Sequence, residues 1–131
     1  MDRSKQPILD EFGKLLMAQV RDQTLAYLQR VLSGQTANPL SKDLSLKFKK
    51  LKPDDAEFVR HLLLDAVDGA ISRFLYFLDD FQIEVRFRTS NGEQHDVRAI
   101  SDGLHGEIWT EDGWIERYSK FKNRLDCTQV E

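Results

Sequence analysis

Residues 53–88, PDDAEFVRHLLLDAVDGAISRFLYFLDDFQIEVRFR, contain the change of hydrophobic period that sets the fold class. As far as Phe81 the apolar residues recur at helical spacing: Phe58, Val59, Leu62, Leu63, Ala66, Val67, Ala70, Ile71, Phe74, Leu75, Phe77, Leu78 and Phe81. Pro53, followed by Asp54, Asp55 and Glu57, supplies a first turn suited to the positive end of a helix. The spacing predicts a helix over about 54–81, roughly 40 Å long at 1.5 Å per residue. Its apolar set is wider than one surface stripe, which predicts the central and most buried helix. After Phe81 the period becomes two, with Ile83, Val85 and Phe87 alternating against Glu84, Arg86 and Arg88 as in a half-buried strand.

Upstream, Pro7 to Leu32 reads as a second long helix. Ile8, Phe12, Leu15, Leu16, Leu25, Leu28 and Leu32 keep helical spacing, Pro7 suits the first turn, and Gly34 offers a left-handed cap. Gly13 is a weak point inside it. Residues 35–40 form a connector, and Ser41 is placed to cap a short helix to about Lys50, with Leu44 and Phe48 on one side.

Downstream, Asn91-Gly92 signals a hairpin. A three-residue loop, 91–93, sets Phe87 opposite Val97, Val85 opposite Ala99, Arg88 opposite Asp96 and Arg86 opposite Arg98 in a strand from Gln94 to Ile100. A two-residue loop would mix apolar and charged residues on one face, so the longer loop is expected. Ser101 suits the cap of a helical turn from Asp102 to Trp109, with Leu104 and Ile108 inward. Trp114 to Phe121 alternates as a third strand would. The expected architecture is α+β: two long antiparallel helices and a short one packed on a small antiparallel sheet of about three strands. Residues 1–81 make the helical part, 82–121 the hairpin and C-terminal strand, and 122–131 a flexible tail of one 131-residue domain.

With 40% hydrophobic and 31% charged residues, the chain has the apolar content of a folded domain. Its 19 basic and 22 acidic side chains give a net charge of −3, which disfavours a nucleic-acid binder. The charge is uneven: ten basic and five acidic groups before residue 53, nine and seventeen after it, or +5 against −8. Such a split suits a polar interaction surface, self-association, or two faces of one solvated domain. The lone Cys127 has no disulfide or zinc partner in the sequence. No apolar run reaches the roughly 20 residues that cross a bilayer, and no leader is visible, so a cytoplasmic location is expected.

The segment 101–119, SDGLHGEIWTEDGWIERYS, concentrates glycines, two tryptophans and acids. Trp109, Glu111, Asp112, Trp114 and Arg117 are the expected partner-binding patch, because tryptophans carry interface energy and an acidic rim attracts a basic partner. The plainer alternative makes both tryptophans core anchors. His61, Asp65 and Asp68 share one face of the 54–81 helix and suggest a pocket between the long helices, or a solvated stripe. Gly69 beside them would let another helix approach. Arg86 opposite Arg98 suggests an anion or partner site. The basic run Lys47, Lys49, Lys50 and Lys52 offers contacts to phosphates or an acidic surface, or more simply is the solvated face of a short helix. No metal-ligand spacing, phosphate loop or nucleophile motif is present, so no catalytic residue, metal or cofactor is assigned.

Ser101-Asp102-Gly103-Leu104, Gly106-Glu107, Glu111-Asp112-Gly113-Trp114-Ile115 and Arg117-Tyr118-Ser119-Lys120 resemble the C-terminal signature of a family of small, uncharacterised bacterial proteins. Arg21 to Tyr27 with Ser33-Gly34 resembles that family's N-terminal helix. The resemblance implies one bacterial domain and carries no catalytic residue with it. Size, acidity and lack of catalytic motifs are similar to those of immunity proteins that neutralise bacterial toxins. The expected function is therefore a non-enzymatic protein-binding module of the bacterial cytoplasm. The alternative is a small-molecule binder or enzyme with a pocket between the long helices.

Overall fold

The computed structural model describes residues 3–81 and 83–122. The chain is α+β and mostly helical. After a 3-10 turn at Arg3–Lys5, α1 (Gln6–Leu16), a π-helical stretch (Met17–Asp22) and α2 (Gln23–Ser33) run on as one rod. The rod buries Leu9, Gly13, Met17, Arg21 and Leu25, which are four residues apart throughout. In an unbroken α-helix of 3.6 residues per turn, such a line would wind off the inner face. The wider π-turn absorbs that drift and turns Arg21 and Asp22 both inward. Gly13 is no defect: a Cβ there would lie 2.2 Å from the Trp114 indole, so only glycine lets the ring seat on the helix. Gly34, at φ 80°, ends α2 in the left-handed cap.

α3 (Pro39–Lys49) begins earlier than the sequence suggests. Asn38, not Ser41, is its cap: its side chain accepts from the Leu40 N–H at 2.9 Å, and Pro39 fills the first position. Ser41 and Ser45 form its buried side, while Leu44 is exposed. Small side chains let α3 lie close to α2, with Ser45 Oγ donating to the Leu32 carbonyl at 3.3 Å.

α4 (Pro53–Asp80) matches its expected span but is not buried all round. Its inner face is Leu64, Asp68, Ile71, Ser72, Leu75 and Leu78. Phe58, Leu62, Phe74, Phe77 and Phe81 remain exposed. Among the described residues Gly69 meets no other helix: none of their atoms lies within 4 Å of where its Cβ would be.

β1 (Arg86–Arg88) and β2 (Gln94–Asp96) form a two-stranded antiparallel sheet. Arg86 faces Asp96, Phe87 faces His95 and Arg88 faces Gln94. The expected register is therefore off by two residues. The loop is Ser90-Asn91-Gly92, closed by the Thr89 N–H on the Glu93 carbonyl at 2.8 Å, with Gly92 at φ 90°. A slip of two preserves the faces, so Phe87 still packs inward. The expected Arg86–Arg98 opposition is replaced by Arg86 against Asp96.

The third strand is absent among the described residues. Trp114–Tyr118 is a short helix, α5. Trp114, Ile115 and Tyr118 fit spacing i, i+1, i+4 as well as alternation, and here the helical period is the one adopted. A 3-10 turn, Leu104–Glu107, precedes it. The main core joins Leu9, Met17, Ile71, Leu75, Leu78, Val97, Leu104, Ile108 and Trp114; Leu25, Leu64 and Phe121 form a second cluster. Phe12 packs edge-on against both Phe87 and Trp114, at 5.6 and 5.8 Å between ring centres. Phe121 is thus a core residue at the end of the described chain. The rest of the expected tail, with Cys127, lies outside the described residues.

Candidate functional site: an acidic cleft beside Trp109

The floor of the site is a buried charge network. Arg21, fully buried on the π-turn, donates to Asp68 of α4 through Nε (2.6 Å) and Nη2 (3.1 Å). Its remaining donors reach Ser119 Oγ at 2.6 Å, the Lys122 carbonyl at 2.8 Å and the Phe121 carbonyl. All five guanidinium N–H groups are thereby used. Ser119 Oγ donates to Asp22 at 2.5 Å, and Asp22 also accepts from the Lys120 N–H at 3.1 Å. The network ties α4 and the segment 119–122 to the first rod.

Above it opens a cleft of about 640 Å³ lined by His61, Asp65, Asp68, Trp109, Glu116 and Lys122, with Leu64, Ile108, Thr110 and Ile115. It lies between α4 and the segment 108–116, not between the two long helices. Two groups that the sequence holds 40 residues apart therefore meet: the His61-Asp65-Asp68 face and Trp109. Trp109 is 54% exposed, and its Nε1 donates to Ser72 Oγ at 3.2 Å, which fixes the ring at the lip. Asp65 and Glu116 are exposed and have no ion-pair partner among the described residues. His61 is drawn away, its Nε2 3.3 Å from Glu57. The Lys122 amine is held by the Glu116 carbonyl.

The other expected site residues fall elsewhere. Trp114 is wholly buried and belongs to the core. Glu111 and Asp112 are exposed on the turn that the Gly113 N–H closes on the Thr110 carbonyl, outside the cleft. Arg117 pairs with Asp10 at 2.7 Å and lies over the Tyr118 ring at 4.8 Å. Arg86 pairs with Glu84 at 2.6 Å. Arg98 donates to the Ile83 carbonyl at 2.8 Å and to the Asp79 carbonyl at 2.9 Å, closing the end of α4. Arg86 and Arg98 thus do not form one anion site. Among the described residues no group of three or more His, Cys, Asp or Glu is placed to hold a metal ion. No described helix is long and apolar enough to cross a membrane.

The segment carrying Trp109 is anchored by Asp79. Its carboxylate accepts from the Leu104 N–H (3.0 Å), the His105 N–H (3.1 Å) and His105 Nδ1 (2.7 Å), and the imidazole stacks on Tyr76 at 3.9 Å. Burial pushes Asp79 up, but those bonds and the imidazole charge outweigh it and hold the carboxyl below its ordinary range. At Asp10 burial is likewise outweighed, by bonds from Arg117 and Gln6 and by the Arg117 charge; the same bond raises Arg117. Glu107 goes the other way: burial raises it more than its bond from Ser101 lowers it. Burial also raises Tyr118.

Arg21, Asp22, Ser119, Glu116 and Lys122 were not singled out by sequence reasoning for this site. The one signal for Arg21 and Asp22 is the run of buried positions spaced by four, which an unbroken α-helix does not hold. No protein-family model, curated protein or solved structure matches the chain.

Proposed function

We propose that the protein is a non-enzymatic binding module that engages a protein partner by receiving one of its basic side chains in the cleft beside Trp109. The reading is carried by the meeting of Asp65, Glu116 and the half-exposed Trp109 at one open cleft. A guanidinium or ammonium entering there gains the indole face and two carboxylates, a combination worth roughly 1–2 kcal/mol from the cation–π contact alone once water is excluded. Masking a basic surface in this way suits a regulatory or immunity role in a bacterial cytoplasm. A catalytic use of the same cleft has less support. His61 is engaged by Glu57 and Asp68 by Arg21, so neither is free to serve Asp65 as acid or base.

The test is a tryptophan-fluorescence titration with short Arg-containing and Lys-containing peptides against an uncharged peptide of equal length. The reading expects saturable change with the basic peptides, and its loss in Trp109→Phe and in Asp65→Asn/Glu116→Gln. An equal response to the uncharged peptide, or an unchanged response in both variants, contradicts it.

A further inference from the structure

The turn that Asp79 anchors carries an imidazole whose geometry goes beyond anchoring. Two backbone N–H groups, those of Leu104 and His105, already tie the turn to the Asp79 carboxylate. A third bond, at 2.7 Å, runs to Nδ1 of the His105 ring. A carboxylate there fixes the ring proton on Nδ1, so the neutral imidazole carries its free lone pair on Nε2. Nε2 has no partner among the described residues, and the side chain is 36% exposed. Tyr76 stacks on the ring at 3.9 Å between centres, within 16° of parallel, which keeps it from turning. The next residue is Gly106, and no described atom lies within 4 Å of where its Cβ would be, so the chain is uncrowded just past the ring.

The other two histidines are arranged the opposite way. His61 Nε2 lies 3.3 Å from Glu57, and His95 Nε2 lies 3.1 Å from Glu93. Only in His105 does the carboxylate take Nδ1 and leave Nε2 open.

An imidazole held in this way is a nucleophile with a counter-ion already in place. When Nε2 attacks an electrophile the ring becomes cationic. Asp79 faces that charge across the Nδ1–H bond, and the Tyr76 face lies against it as a cation–π partner. Arg73 has its guanidinium 5.8 Å from the Tyr76 ring and no ion pair among the described residues. It sets a further cation beside the same stack, which favours an anionic electrophile over a neutral one.

We propose that His105 is a phosphoryl-accepting nucleophile, taking a phosphoryl group at Nε2 from a donor of the phosphoramidate class. The Nε2 lone pair forms the new N–P bond. The donor's own P–N bond breaks, and its electron pair leaves on the already protonated nitrogen, which departs as the neutral amine. Nδ1 keeps its proton, and the cationic ring stays on Asp79. The site is separate from the cleft beside Trp109, and its test leaves the cleft residues unchanged.

The full chain is incubated with potassium phosphoramidate at neutral pH. Phosphorus NMR and peptide mapping then follow which histidine, and which ring nitrogen, is modified. His105 is expected to react first, at Nε2 alone, and faster than free N-acetylhistidine. His105→Gln is expected to lose this product. Asp79→Asn is expected to slow it by about tenfold or more, as loss of a carboxylate behind an imidazole does. Equal modification of His61 or His95 overturns the proposal. So does a mixture of Nδ1 and Nε2 products at His105, a rate no greater than that of N-acetylhistidine, or a wild-type rate in folded Asp79→Asn. Should Asp79→Asn not fold, the site and rate of wild-type modification decide by themselves.

Discussion

The Arg21 guanidinium holds the Asp68 carboxylate through two parallel bonds, Nε to Oδ1 at 2.6 Å and Nη2 to Oδ2 at 3.1 Å, and so joins the π-turn of the first rod to the middle of α4. The pair supports the cleft from below. It also saturates Asp68, leaving Asp65 as the free carboxylate of that helix face. Removing one partner strands a buried charge. Asp68→Ala and Arg21→Met are each expected to cost about 3–5 kcal/mol, and the double variant Arg21→Met/Asp68→Leu less than the sum. Urea unfolding of the four proteins measures this; additive losses would contradict a coupled pair.

Gly13 and Trp114 test the packing. Glycine to alanine in a helix ordinarily gains about 1 kcal/mol. Here the added methyl meets the indole, so Gly13→Ala is expected to destabilise by about 1–3 kcal/mol, as overpacking does. Trp114→Phe in the same chain is expected to recover part of that loss, read from thermal midpoints of the two variants.

The acid limb of stability follows from Asp10 and Asp79. Both are held below the ordinary aspartate value of about 3.9 when folded. Their contribution is complete above that value and disappears as pH falls through the lower, folded one. Urea midpoints are expected to fall steeply below about pH 4. Asp79→Asn is expected to flatten that fall and also lower stability at pH 7, because the Leu104 and His105 donors lose a charged acceptor.

Glu107 has the opposite sign. Its folded value is raised, chiefly by burial, so its favourable contribution is present below the ordinary glutamate value and is lost as pH rises through the folded one. Glu107→Gln keeps an acceptor for Ser101 without the charge. It is expected to match or exceed the wild type at pH 7, with the difference shrinking towards pH 4. A variant less stable at pH 7 would contradict burial as the governing cause.

What was legible in the sequence was legible for local reasons. The span of α4 follows from Pro53, the first-turn acids and the long apolar repeat, and the end of the first rod from Gly34. Burial was less legible, because a wide apolar set reads as a central helix whether or not anything covers Phe58, Leu62, Phe77 and Phe81. The third strand failed because Trp114, Ile115 and Tyr118 satisfy two periods at once, and only tertiary packing decides between them. The hairpin faces followed from alternation, but the register depended on which residues close the loop. At the site, His61, Asp65 and Asp68 share a face by helical geometry alone. Their meeting with Trp109 depends on Asp79 capping the 104–107 turn, a contact between residues 25 apart that no local pattern encodes.

The central claim is that the cleft beside Trp109 takes a basic group of a protein partner. Its most direct measurement is parallel affinity capture of the wild type and Trp109→Ala/Asp65→Asn from the same host cells, with retained proteins quantified by mass spectrometry. Wild type is expected to retain one partner at stoichiometric amount and the variant, folded by circular dichroism, to lose it. Equal retention by both proteins, or no partner at all with the wild type, would contradict the account.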